Sequence, residues 1–123
     1  MNKTNDDAER FLPLRANWFH ILVSLADSDR HGYGIMQEVE ERTAGGVHLW
    51  PATLYGSIKK MLEEKLIAEA GSPQDQAGDD PRRRYYTISN LGLEVLRCET
   101  HRLETLVAGA RAKPAVGHGE RTP

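Results

Sequence analysis

Between Pro51 and Leu62 the sequence leaves little choice of conformation. Leu54, Ile58, Met61 and Leu62 fall at i, i+4, i+7 and i+8, one apolar stripe that only a helix turns to a single side. Proline is favoured in a first helical turn, so the helix is predicted to open at Pro51. At about 100° per residue, Gly56 lies almost opposite the stripe, flanked by Ala52, Thr53, Lys59 and Lys60. The outer face is therefore slim and basic at once. A mid-helix glycine costs up to about 1 kcal/mol relative to alanine, which implies that the slimness has a use.

The segments around this helix fix its setting. A first helix is predicted to open at Pro13, with Leu14, Trp18, Ile21, Leu22 and Leu25 on one stripe and Phe19, Val23 and Ala26 widening it. A helix apolar on more than one face serves two neighbours, here the core and a partner subunit. The run from Asp27 to Gly32 reads as a turn. A second helix follows from about Tyr33 to Thr43, with Ile35, Met36 and Val39 inward and Gly45-Gly46 stopping it. Val47 to Trp50 suits one short strand. Beyond Leu62, Leu66–Ala70 and Arg83–Ile88 read as two strands joined by the polar, turn-rich loop Gly71–Pro81, a β-hairpin with a long tip. Ser89 caps a last helix reaching about Arg111, in which Leu96, Leu103 and Ala110 recur at seven while Glu99 breaks the companion row.

The fold class that follows is mainly α with a small β-hairpin. It divides into a polar tail (1–10), a winged helix-turn-helix (11–88), a C-terminal dimerisation helix (89–111) and a second tail (112–123). In a winged helix-turn-helix the third helix enters the major groove and the hairpin lies along the backbone. Ala52 and Gly56 give that helix a slim approach, while Thr53 and the lysines supply donors for bases or phosphates. Arg82, Arg83 and Arg84 stand at the base of the wing's second strand, where phosphate contacts are made. Each piece alone has a plainer reading: a solvated lysine face, arginines offsetting Asp79 and Asp80, or a glycine for close packing. Their topological order favours DNA.

Bulk properties set the remaining bounds. The 123 residues fit one domain with a small core, of the kind that dimerisation often supplements. A formal charge of -2 is unusual for a nucleic-acid-binding chain, but phosphate responds to the local field, which a basic face can supply. No apolar run approaches the roughly 18 residues that span a bilayer, and the polar start is no signal peptide, so a cytoplasmic chain away from membranes is expected. A single cysteine, Cys98, excludes an internal disulfide. His20, His31, His48, His101 and His118 are scattered without metal-ligand spacing, and no glycine-rich phosphate loop occurs. No metal, cofactor or catalysis is expected. Cys98 reads as a packed thiol, with a redox switch as the alternative.

Three segments carry a family resemblance: His31-Gly32-Tyr33-Gly34-Ile35, the run from Pro51 to Ile67, and Arg83-Arg84-Tyr85-Tyr86-Thr87-Ile88-Ser89-Asn90-Leu91-Gly92. Together they resemble the PadR family of transcriptional regulators over roughly residues 12 to 110, and its shorter subfamily with one C-terminal helix. The most specific elements are Thr53-Leu54-Tyr55 and, downstream, the Tyr85-Tyr86 strand with Gly92. The resemblance implies a repressor, dimeric through its first and last helices, on an inverted repeat in promoter DNA. It extends a DNA-contact role to Tyr33, Thr53, Tyr55, Ser57, Lys59, Lys60 and the wing arginines. The dimer interface expected is Phe19, Val23, Leu96, Leu103, Leu106, Val107 and Ala110. Some members of the family bind planar aromatic effectors at that interface, for which Trp18 and Phe19 are the candidates, against the plainer reading that both simply pack. The competing functional reading is a winged-helix module that binds a protein partner and no DNA.

Overall fold

The computed structural model describes residues 7–71 and 83–117. Its elements are α1 (Ala16–Leu25), β1 (Arg30–His31), α2 (Gly32–Arg42), α3 (Pro51–Glu63), β2 (Ile67–Ala70), β3 (Tyr85–Ile88) and α4 (Asn90–Arg111). Helix α1 is the hub. Trp18, Ile21, Leu22, Ser24 and Leu25 are buried in it, and the core gathers Ile35, Val39, Leu54, Ile58, Met61 and Val95 from the surrounding helices. Ser24, the one buried polar residue on α1, donates its hydroxyl to the Ile21 carbonyl at 2.7 Å and is thereby satisfied.

Several boundaries differ from the sequence expectation. Helix α1 opens three residues later than the proline rule suggests, at Ala16 behind an extended Arg15. Residues 7–9 form a helical turn, and Ala8 is wholly buried in the core, so the described end of the expected N-terminal tail is packed. No strand forms over Val47–Trp50; Val47 is instead held by a hydrogen bond from its N–H to Thr43 Oγ1. A strand appears where a turn was expected. Arg30 and His31 pair antiparallel with Tyr86 and Tyr85, so β1 and β2 flank β3 in one three-stranded sheet. Arg30 anchors that edge by donating from Nε to the Ser24 carbonyl at the end of α1, 2.7 Å away.

The junction between α3, β2 and α4 is tightly specified. Lys65, at φ 65°, reverses the chain after α3, and the Leu66 N–H reaches back to the Met61 carbonyl at 2.9 Å. Ser89 then caps α4: its Oγ accepts the Gly92 N–H at 2.9 Å and donates to the Lys65 and Leu66 carbonyls. A Cβ on Gly92 would stand 2.1 Å from the Leu66 carbonyl oxygen, so only glycine lets α4 start this close to β2.

Helix α4 is about 33 Å long at 1.5 Å per residue. Its first half packs on the core through Gly92, Val95, Leu96 and Glu99. Its second half runs clear of it, leaving Leu106 and Val107 exposed. Glu99, which breaks the heptad row in the sequence, turns out to be buried. Arg102 donates to its carboxylate from Nε and Nη2 at 2.7 Å each, and the Leu14 backbone N–H adds a further hydrogen bond. These bonds, Arg102's foremost, hold the Glu99 carboxyl below the ordinary carboxylate range.

Candidate nucleic-acid interface

Helix α3 presents its two sides as the sequence pattern requires. Leu54, Ile58 and Met61 are buried, while Ala52, Thr53, Tyr55, Gly56, Lys59 and Lys60 are exposed and Ser57 is half-buried. A Cβ added to Gly56 would meet nothing within 4 Å, so this glycine does not serve packing inside the protomer. Neither lysine has an ion-pair partner among the described residues.

The face continues beyond α3. Tyr55 reaches across to the start of α2, where its hydroxyl and ring edge cover Gly32 closely enough that a Cβ there would lie 2.3 Å from Tyr55 Oη. Tyr33, one residue on, is 55% exposed. The other wall is the segment leading into β3, where Arg83 and Arg84 line the same cleft. His31, Gly32, Tyr33, Tyr55, Arg83 and Arg84, floored by Tyr86, line a hollow of about 240 Å³. Burial, with Tyr55 and Glu69 nearby, pushes the Tyr86 hydroxyl above its ordinary pKa, so it stays protonated and able to donate.

The wing arginines divide. Arg84 donates to Glu69 on β2 at 2.9 Å, an exposed pair of the kind that contributes little and is readily exchanged. Arg83 lies 2.8 Å from His31 Nε2. Arg82 and the acidic residues Asp79 and Asp80 fall outside the described residues. Two exposed or cleft-lining residues escaped the sequence reading. His31 caps α2, accepting the Gly34 N–H at Nδ1 over 3.0 Å, a role histidine is not usually assigned. Trp50, 68% exposed at the N-cap of α3, stacks edge-on against His48. An aromatic left in solvent directly before a basic helix was legible only once Val47–Trp50 ceased to be a strand.

The residues assigned to dimerisation and to a ligand separate as well. Phe19 faces an open apolar groove with Leu103 and Val107 of α4, and Leu106, Val107 and Ala110 are exposed. Val23 is half-buried against the core. Leu96 is different: it is 8% exposed and belongs to the protomer's own core, because the α4 row that faces outward after residue 100 faces inward before it. Trp18 is likewise 8% exposed, its ring packed in the core with the Arg15 guanidinium 5.2 Å above it, and it borders neither groove on α4. Cys98 sits beside Glu94, which accepts from its thiol at 3.9 Å; burial, then the carboxylates of Glu94 and Glu9, push the thiol pKa up, opposite to a reactive cysteine. Among the described residues no cluster of His, Cys, Asp and Glu could hold a metal ion, and no helix is long and apolar enough to cross a membrane.

Comparison with known proteins places this architecture. The model of the transcriptional regulator PadR-like family matches residues 21–98, from within α1 to the middle of α4. The chain belongs to the PadR-like family of transcriptional regulators. A PadR family transcription regulator of Clostridium difficile superposes on it with a TM-score of 0.67 and 26% identity, covering 80% of this chain and 97% of that one. Bacillus subtilis PadR, in a structure with operator DNA, shares the fold with a TM-score of 0.60 at 18% identity, over 78% of this chain and 60% of that one. Among curated sequences, an uncharacterized Lysinibacillus sphaericus protein is 38% identical over 72 residues, 58% of this chain. The PadR-like chain spans 63% of that relative's length. It spans only 22% of a 37.1 kDa protein in a Streptomyces fradiae transposon, to which it is 30% identical over 86 residues.

Proposed function

We propose that this PadR-like chain is a transcriptional repressor that binds an inverted repeat in duplex DNA as a homodimer. In this reading α3 enters the major groove with Thr53, Tyr55, Ser57, Lys59 and Lys60 toward the bases and their phosphates, while Arg83 and Arg84 lie on the backbone. One observation carries it: the slim, lysine-bearing outer face of α3 shares Tyr55 with the cleft that Tyr33 and the two arginines just before β3 line, and the packing of α3 leaves Gly56 and both lysines exposed. That a protein of the same fold, Bacillus subtilis PadR, has been solved with operator DNA supports reading this chain as a DNA-binding protein.

The dimer part of the reading rests on the distal half of α4. Its exposed Leu106 and Val107, with Phe19 of α1 across the groove, are the residues an α1–α4 interface would bury. If the repressor responds to an aromatic effector, the effector would meet Phe19 and Leu103 in that groove, not the core-bound Trp18.

The test is fluorescence anisotropy on duplexes selected from a random pool, at two salt concentrations, with Lys59→Ala/Lys60→Ala and Arg83→Ala/Arg84→Ala beside the wild type. Salt-dependent binding that each double variant weakens, with a salt slope lower by about 2, is expected, since each phosphate contact contributes close to 1. A folded protein that enriches no duplex and binds none at low salt would refute it and favour a protein-binding module.

A further inference from the structure

Trp50 departs from two local rules at once. It is the N-cap of α3, where serine, threonine, aspartate or asparagine would accept an N–H of the first turn, and its side chain makes no cap hydrogen bond. It is also 68% exposed, the most exposed of the large apolar residues described, whereas Trp18 is buried. The backbone on either side is well held. Val47 donates its N–H to Thr43 Oγ1 at 3.0 Å, Leu49 is buried in the core, and Pro51 opens the helix. The ring itself is seated. The His48 imidazole stands edge-on to it, 4.2 Å between centroids, and His48 Nδ1 lies 3.0 Å from Glu40 Oε1 on α2. The indole is thus displayed in a fixed place, and a residue that breaks local rules in this way is expected at a functional surface.

What covers it follows from its position. In a helix-turn-helix the N-terminal residues of the recognition helix meet base edges, and Trp50 directly precedes that helix, next to the exposed Ala52 and Thr53. An indole face is apolar and gains little from a phosphate, and the Glu40 carboxylate beside His48 repels one. The apolar group that the major groove offers is the C5-methyl of thymine. We propose that Trp50 packs on a thymine methyl in the major groove when α3 is bound, and so selects thymine at one position of each half-site. The proposal rests on the repressor reading and adds to it a base preference carried by apolar contact.

Replacing thymine by deoxyuridine deletes the methyl group and nothing else. On a duplex selected from a random pool, thymines are exchanged one position at a time in one half-site. One exchange should weaken wild-type binding about fourfold, the worth of one buried methyl group. Trp50→Asn should bind the thymine duplex at least about fourfold more weakly than the wild type does, and should no longer distinguish it from the deoxyuridine duplex. Asparagine is among the best N-caps, so this variant should melt at or above the wild-type temperature. Its salt slope should stay unchanged, because the indole carries no charge and releases no counterion.

If the wild type binds and no exchange weakens it, or an exchange weakens Trp50→Asn equally, the methyl contact is overturned while the repressor reading stands. If the wild type binds no duplex at all, the repressor reading falls and takes the contact with it. Should Trp50→Asn fail to fold, acrylamide quenching of the wild type decides, because Trp18 is buried and Trp50 supplies the accessible emission. Shielding by the selected duplex supports the contact, and quenching that the duplex leaves unchanged overturns it. Quenching that falls with protein concentration alone would mark the indole as a contact between copies of this chain and also overturn it.

Discussion

Gly32→Ala should leave the fold standing and disable the DNA face. A Cβ at this position would lie 2.3 Å from Tyr55 Oη, 2.7 Å from Cζ and 2.8 Å from Cε1. Ordinary contact is about 3.5–4.0 Å, so the phenol tip must move by more than about 1 Å. All three atoms are the far end of a side chain that is 49% exposed, and it can swing into solvent. The lost contact, about 1 kcal/mol, is offset by the 0.4–1 kcal/mol or so that alanine gains over glycine where the backbone accepts it. Net stability should change by no more than about 1 kcal/mol, a melting shift within about 8 °C for a domain of this size. Binding loses more. A tyrosine hydroxyl displaced from a phosphate forfeits about 1.5–3 kcal/mol, roughly 10- to 100-fold in affinity. Thermal melts and duplex anisotropy on the same preparations give both numbers, with Tyr55→Phe as the control that keeps the ring and deletes the hydroxyl. A melting point lowered by more than about 15 °C would mean that Gly32 serves the core. Unchanged affinity in a folded variant would refute the idea that the seat of Tyr55 on Gly32 shapes the interface.

Three further outcomes follow from the same geometry. Gly92→Ala meets a backbone oxygen rather than a mobile side chain, so α4 must shift from β2; a loss of about 3 kcal/mol or more, seen as a melting drop beyond about 12 °C, is expected. Glu99 has its carboxyl pKa lowered by Arg102 from the ordinary 4.5, so its contribution is complete above that value and fades as pH falls through the lower, folded one. Glu99→Gln should therefore be less stable at neutral pH and lose less on acidification, which acid melts of the two proteins measure. Cys98, its thiol pKa raised by burial and by Glu94, should react with iodoacetamide several-fold more slowly in the native protein than in the urea-unfolded chain; equal rates would contradict the packed-thiol reading.

What the sequence revealed depended on whether a residue's fate was local. Helix α3 was legible in full, since Leu54, Ile58 and Met61 declare one face and Gly56 the other without reference to anything else in the chain. The same holds for Ser89, whose cap is formed with a residue three positions on. Strand β1 was not legible. Two residues, Arg30 and His31, sit among turn formers and become a strand only because the edge of β3, more than fifty residues later, takes them. Helix α1 begins at Ala16 rather than Pro13, and the Leu14 N–H goes to the distant Glu99 carboxylate, a partner no local rule supplies.

The α4 heptad shows a different limit. Leu96 and Leu103 share a row in the sequence, yet the core ends between them, so one is consumed inside the protomer and the other lines an outer groove. Periodicity gives the face of a helix and not where along its length the neighbours stop. Within the candidate site, the lysines and wing arginines were identified from residue type and order, and Tyr33 and Tyr55 from the family resemblance. His31 was not singled out because its place depends both on the α2 cap it forms with Gly34 and on Arg83, which lies far along the chain.

If α3 reads duplex DNA, it does so through the major groove. Dimethyl sulfate methylates guanine N7 in that groove, so a footprint on a selected duplex saturated with protein tests it directly. Two clusters of protected guanines about one helical turn, roughly 10 base pairs, apart are expected, both lost with Lys59→Ala/Lys60→Ala. A saturated complex in which every guanine N7 stays reactive would contradict it.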